Sequence, residues 1–445
     1  MPAMALRCVL NFMDSINKQI LRLAVPSIVA NITTPLLALV DTAVTGHMGS
    51  PVFIAAIAVG GTIFNMLYWL FGFLRSGTGG MTAQEYGARN HAEAVNVLRR
   101  SLVVAGVIGV AIVLLQIPAL GFALSMMDVE GDTRALVEQY FHITVFGAPA
   151  VLCSYALAGW FIGMQNTRYP MWSSIVVNVV NIAVSLTAVY LFHWGLAGVA
   201  AGTLIAQWTG FLMLLWLTRR YDVKLFGRKD PSPLFGNGAL KRFFNVNSDI
   251  FLRTLCLIAV TVWFTRQGAE QGTLMLAVNT LLMQFFIITS YVTDGFAFAA
   301  EALSGKFVGE RNGEMLRLTI RRTMLWGGAI GLGFTLLYFV TGDGFLQLLS
   351  DDTEVIEAAR PYRYWTMLIP LAGFAAFIWD GVFIGATRTR ALLVSMAVAM
   401  LWFFGIHHLL APHWGNDALW FAFVTYLAVR GVVLTVIYFL SSRRF

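Results

Sequence analysis

The sequence predicts an all-α integral membrane protein, with twelve transmembrane helices in two six-helix bundles related by a pseudo-twofold axis along the membrane normal. Three observations carry this. Hydrophobic residues make up 58% of the 445 residues and charged ones 12%, whereas a soluble protein carries roughly a quarter charged residues. Long apolar stretches recur along the whole chain, and about 20 residues suffice to cross a hydrocarbon core of roughly 30 Å. Finally, the second half echoes the first when the sequence is slid over itself by 222 positions.

The spans fall at 18–45, 52–83, 95–120, 136–162, 170–192, 196–218, 243–265, 274–303, 319–341, 356–385, 391–411 and 417–440. Backbone groups in lipid must bond one another, and continuously apolar segments of this length do so as helices rather than as alternating barrel strands. Residues 1–18 lack the apolar core and small cleavage-site residues of a secretion signal, so the first span is expected to stay in the membrane. Cys8, Cys153 and Cys256 are scattered and odd in number, which suggests neither a disulfide framework nor a metal cluster.

The net charge of +7 follows topology. Basic residues cluster in alternate loops: Arg7, Lys18 and Arg22; Arg89, Arg99 and Arg100; Arg168; seven between Arg219 and Arg242; five between Lys306 and Arg322; Arg388 and Arg390; Arg443 and Arg444. The opposite loops carry Asp128, Glu130, Asp132, Asp343, Asp351, Asp352, Glu354 and Glu357. This positive-inside asymmetry puts both termini in the cytoplasm of a multi-pass protein of the cell (inner) membrane. No basic face with interleaved aromatics points to nucleic acid.

The duplication is clearest in two stretches. Gly87, Arg89, Asn90, Arg99 and Arg100 fall on Gly309, Arg311, Asn312, Arg321 and Arg322, and G-x-F-I-G-x-x-x-T-R at 159–168 recurs at 381–390. Six spans per half make the repeats parallel, an arrangement that works by rocking one bundle against the other around a midplane site. The expected division is an N-terminal lobe 1–218, a cytoplasmic linker 219–242 marked by Asp230-Pro231-Ser232-Pro233, and a C-terminal lobe 243–445.

No nucleotide-binding loop is present. Gly77-Thr78-Gly79-Gly80 lacks the Gly-Lys-Ser/Thr ending, and Ser304-Gly305-Lys306 lacks the upstream glycine. Movement is therefore driven by an ion gradient or by the solute's own gradient. Ionisable residues inside spans are costly and mark function or pairing. Asp41, with no basic residue within a helical turn, suits a group that binds and releases protons near physiological pH; the alternative is a carboxyl hydrated near the helix end. Pro26 and Pro35 make the first helix bendable.

Asn178, Asn181 and Ser185 share a face of the fifth span, and Thr203 and Gln207 a face of the sixth. These form either a polar pocket with Asp41 and Tyr140 or interhelical hydrogen-bond glue. In the second half Asp249 and Arg253 share a face as a structural ion pair, whereas Glu301, Asp380 and Asp294 are candidates to hold an ion or a cationic solute. Arg75 and Arg430 snorkel or pair with carboxylates. His407, His408 and His413 suit an outer polar cap rather than a metal site. The 34 Phe, 13 Trp, 13 Tyr and 18 Met face lipid or line a cavity suited to bulky amphipathic solutes.

These residues together resemble the multidrug and toxic compound extrusion (MATE) family, in particular its DNA-damage-inducible, DinF-type branch. The resemblance spans essentially the whole chain. It rests on L-A-V-P-S-I at 23–28, L-V-D-T at 39–42, A-Q-E-Y-G-A at 83–88, N-x-x-N-I at 178–182, L-S-G-K-F-V-G at 303–309 and D-G-V-F-I-G-A-T-R-T at 380–389, in that order within a six-plus-six layout. It implies cation-coupled antiport that exports organic cationic or amphipathic compounds without a cofactor.

By the same resemblance Asp41 matches the family's protonated first-helix aspartate and Pro26 the proline where that helix bends. Tyr140, Asn181 and Thr203 fall where relatives place polar residues around that aspartate, with Asn178 a neighbour. One departure matters: many relatives have Asp where this chain has Ser185, which favours H+ over Na+ in the first lobe. Asp380 lies near a carboxylate of sodium-coupled relatives, which keeps Na+ as an alternative. The expected partners are small organic solutes, protons and the lipid bilayer, for a protein acting as a monomer. Two rival functions stand beside antiport. A lipid-linked precursor flippase of the same superfamily would carry two further spans and a cationic cavity, and an intramembrane enzyme would need a nucleophile or metal constellation that the spacing does not provide.

Overall fold

The computed structural model describes the backbone of residues 2–46, 51–127, 131–221, 236 and 238–441, without the side chains of 2–14, 34, 36–38, 46, 51, 126 and 132. Most of the expected linker, and the acidic group Asp128, Glu130 and Asp132, lie outside this set. The chain is helical. Helix α1 runs Pro2–Gly46, covering the first expected span, and eleven further helices are long and apolar enough to cross a membrane among the described residues. They are α2 (Val52–Gly87), α3 (His91–Leu114), α4 (Thr133–Gly163), α5 (Arg168–Leu191), α6 (Leu196–Tyr221), α7 (Ala239–Glu270), α8 (Thr273–Gly309), α9 (Gly313–Leu349), α10 (Thr353–Gly385), α11 (Thr389–Trp414) and α12 (Asn416–Ser441). The twelve expected spans each fall on one of these helices.

The internal repeat is visible as matched local structure. Helices α2 and α8 end the same way: Asn90 N–H and Asn312 N–H reach back to the Glu85 and Phe307 carbonyls, at 2.8 and 2.9 Å. Arg89 and Arg311 hold φ of 56° and 54°. The same asparagines then cap the next helices, Asn90 Oδ1 accepting from Glu93 N–H and Asn312 Oδ1 from Met315 N–H. Helices α4 and α10 end on Gln165 and Thr387, at φ 62° and 51°. Each of these pairs is 222 positions apart.

The repeated G-x-F-I-G stretch is a helix crossing. A Cβ on Gly159 would collide with the Arg75 carbonyl and one on Gly163 would stand 2.7 Å from the Gly79 carbonyl oxygen, so α4 rests directly on the α2 backbone. In the second half Gly381 meets the Ala297 carbonyl, and Gly385 meets the Glu301 carbonyl and Gly305 N, which sets α10 on α8 in the same register. With lipid as apolar as leucine, close backbone approach of this kind is what holds helices together in a bilayer. A third crossing joins α5 and α6. Gly198, Gly202 and Gly210 face Ala188, Ser185 and Val177, and Ser173 Oγ donates to the Gly210 carbonyl at 3.2 Å.

Two compact units result: Val29–Phe243, and Met1–Ile28 with Phe244–Phe445. This departs from the expected division at 1–218 and 243–445, because the first 28 residues group with the C-terminal helices. The cause is local packing. Ile20, Leu23 and Ala24 are buried, Gly295 on α8 leaves room for Ala24 and Ile28, and Trp326 on α9, stacked on Phe296, donates Nε1–H to Asn17 Oδ1 at 3.3 Å. At the other boundary, Phe243 packs on Met81 and Val97 of α2 and α3 in its own unit, and Arg242 donates to Gln84 Oε1 at 2.8 Å. Pro26 is buried two residues before the point where α1 passes from one unit to the other, within an unbroken helical assignment.

Replacing Gly163 or Gly385 by Ala should lower the thermal unfolding midpoint in detergent, since overpacking costs about 1–3 kcal/mol. Gly61→Ala should leave it unchanged, because a Cβ there meets nothing within 4 Å.

Candidate functional site

In the unit Val29–Phe243, Asp41 lies on α1 at 4% exposure. Thr203 Oγ1–H on α6 donates to Asp41 Oδ2 at 3.4 Å, and Asn181 Nδ2–H on α5 donates to Thr203 Oγ1 at 3.0 Å. The close α5–α6 crossing at Ser185 and Gly202 brings Asn181 and Thr203 together. The Asn181 amide also lies beside the carboxyl, and Tyr140 stands within electrostatic reach of it. Asp41 Oδ1 is buried and makes no hydrogen bond of standard geometry. The carboxyl is thus buried among neutral groups, with no ion pair among the described residues.

The six polar-pocket candidates separate. Tyr140, Asn181 and Thr203 join Asp41. Asn178 does not: its Nδ2–H donates to the Thr33 carbonyl at 2.8 Å, and Ser174, one turn away, bonds Thr33 Oγ1 at 2.6 Å. These two residues pin α5 to α1 upstream of Asp41, the role of interhelical glue. Ser185 is buried against Gly202, and its hydroxyl makes no hydrogen bond of standard geometry. Gln207 lies beside Tyr68 and against Gly147. Tyr68 and Thr144 were not singled out from the sequence. The signal available was spacing, since Thr144 follows Tyr140 by one helical turn just as Gln207 follows Thr203.

In the other unit the expected Asp249–Arg253 pair does not form. Although both residues share a face of α7, Arg253 reaches α10 and donates to Asp380 Oδ2, while Asp249 accepts from Thr389 Oγ1 at 3.0 Å and Arg390 Nη1 at 3.4 Å. Arg430 of α12, 2% exposed, also donates to Asp380 Oδ2, at 2.7 Å. Its guanidinium lies over Tyr426 at 5.6 Å. Asp380 is therefore clamped between two arginines, which neutralises the carboxylate that had been a candidate for a cation. Asp294 lies in the field of Arg430. Glu301 is buried at the α8–α10 crossing, where its carbonyl meets Gly385.

The two halves thus share a backbone plan and differ in charge: a carboxyl among hydroxyls and amides in one unit, a carboxylate among guanidiniums in the other. The MatE family profile matches residues 26–187 and 249–407, one segment in each half. The chain belongs to the MatE family. It is 37% identical over 431 residues to the DNA damage-inducible protein F of Escherichia coli strain K12, covering 96% of this chain and 93% of that protein. It is 23% identical over 445 residues to the probable multidrug resistance protein NorM of Idiomarina loihiensis, covering 95% and 94%. Among solved structures, the Vibrio cholerae MATE transporter VcmN in its bent form superposes with a TM-score of 0.86 at 18% identity, over 97% of this chain and 98% of that one. A MATE structure in the bent conformation gives 0.84 at 20% identity, over 95% and 94%. As a MatE protein the chain is a multi-pass membrane transporter and not an enzyme.

The charge clamp of this MatE chain has a measurable consequence. Asp380→Asn removes the carboxylate that Arg253 and Arg430 share, and breaking a buried pair costs about 3–5 kcal/mol. The unfolding midpoint should fall accordingly, and further than for Asp249→Asn, whose arginine partner is 77% exposed.

Proposed function

We propose that this chain exports organic cationic or amphipathic solutes in exchange for protons, with Asp41 as the group that takes up and releases the proton. The observation that carries the reading is the contrast between the two buried carboxyls. Asp380 is paired with two arginines. Asp41 is surrounded by Thr203, Asn181 and Tyr140, none of which supplies a positive charge. A buried carboxyl without a counter-ion changes its charge state far more readily than one locked in an ion pair.

Ser185 in place of a second carboxylate supports H+ over Na+, because a sodium ion needs several oxygen ligands with compensating negative charge. The names of the curated relatives, multidrug resistance protein NorM among them, support a xenobiotic cargo. The working cycle is alternating access. Pro26 and Pro35 supply the bendable element on the helix that carries Asp41, since neither can donate the backbone hydrogen bond of its turn. The charge pattern of the loops supports an inner-membrane protein with both termini cytoplasmic.

In inside-out vesicles an imposed proton gradient should drive uptake of a cationic dye, and Asp41→Asn should abolish that uptake. Undiminished uptake by Asp41→Asn removes this residue from the coupling. A dependence on added Na+ at constant pH transfers the coupling to sodium.

A further inference from the structure

The unit that holds Asp41 carries a second set of buried polar atoms that the exchange as described leaves unused. Helices α2, α4 and α6 run in the same direction through the membrane, being separated by single intervening spans. On α4 Thr144 follows Tyr140, and on α6 Gln207 follows Thr203, each by one turn of about 5.4 Å. On α2, Tyr68 stands two turns beyond Gly60, on which the Tyr140 ring rests. All three steps lead away from Asp41 toward the same membrane face.

The groups are neighbours. The Tyr140 hydroxyl lies between Thr203 and Thr144. The Gln207 tip fills the space over Gly147, at the short 3-10 segment Val145–Gly147 that interrupts α4 just after Thr144. The Tyr68 hydroxyl lies beside Gln207 and in reach of Tyr140 and Tyr155, and Tyr155 is in reach of Arg75, seven residues beyond Tyr68 on α2.

Thr144 Oγ1, Gln207 Oε1 and Tyr68 Oη are buried and, like Asp41 Oδ1, Asn181 Oδ1 and Ser185 Oγ, make no hydrogen bond of standard geometry. An orphaned buried polar atom costs about 1–3 kcal/mol, and here Thr144 stands beside Tyr140, and Gln207 beside Tyr68. Buried polar atoms of this kind are satisfied by ordered water. We propose that Thr144, Gln207 and Tyr68 form a water-threaded proton route from Asp41 toward Arg75 on α2, which lies on the cytoplasmic side of Asp41 in the orientation proposed above.

The route rests on the proton-exchange reading and adds to it the path of release. The Asp41 O–H bond breaks, leaving a carboxylate. Each water or hydroxyl along the line accepts one proton on a lone pair and hands on its own, so no station changes charge, and one proton reaches water beside Tyr68. Gln207 keeps its protons and orients water through Oε1.

The test uses the full-length protein in liposomes containing a pH-sensitive dye, with a cationic rhodamine as solute. Tyr68→Phe keeps the ring and its stacking on Phe64 at 5.6 Å; Thr144→Val and Gln207→Leu remove the other stations. Each should slow solute-driven proton flux about tenfold or more and raise the solvent deuterium isotope effect, while equilibrium rhodamine affinity stays within about twofold of the parent. Parent-like flux in all three variants overturns the route, and with Asp41→Asn silent in the same assay the role of Asp41 stands. Flux that persists in Asp41→Asn overturns the underlying reading instead. A loss of rhodamine affinity in step with flux marks a merely structural role and also overturns the route.

Discussion

Close backbone contact at glycine is the constraint on which the rest of this structure depends. Inside a bilayer there is no water to drive helices together, and the gain must come from atoms that touch. Gly159 and Gly163 against α2, Gly381 and Gly385 against α8, and Gly198, Gly202 and Gly210 against α5 let backbones approach where any side chain would intrude. Those crossings then decide what the polar residues can reach. Thr203 meets Asn181 because Gly202, its neighbour in sequence, has no Cβ. Glu301 is buried because its own carbonyl forms the floor beneath Gly385.

On this common frame the two units solve the problem of a buried carboxyl in opposite ways. Asp380 receives two arginine donors, one of them lying over an aromatic ring. Asp41 receives one hydroxyl donor and keeps an oxygen unbonded. The lobes therefore pair the same glycine crossings with opposite electrostatics, a salt-bridged carboxylate in one and a carboxyl among neutral groups in the other.

Much of this was legible in the sequence. The spans were found because continuous apolarity over a membrane thickness has few other causes, and the repeat because glycine and cap positions are dictated by backbone geometry. Asp41 stood out as a lone acid in an apolar run, and Asn181, Thr203 and Tyr140 joined it. Side-chain reach was not legible. Asp249 and Arg253 are four apart on one face, yet each finds its partner on another helix, since a one-dimensional spacing cannot weigh a neighbour that arrives from α10 or α11. Asn178 shares a face with Asn181 but stands a turn away from it, enough to move it from the carboxyl to the Thr33 carbonyl. Tyr68 looked like any other interfacial aromatic, because burial of a hydroxyl is a property of packing and not of sequence.

The packing of residues 15–28 bears on how the chain is made. This segment leaves the ribosome long before Gly295, Phe296 and Trp326, which complete its surroundings. During translation the head of α1 must wait in lipid, or beside the insertion machinery, until α8 and α9 have been delivered. Of the two units, Val29–Phe243 can close while the ribosome is still at work. The other can be sealed only after α8 and α9 have followed, so the head of α1 finds its seat late although it is made early.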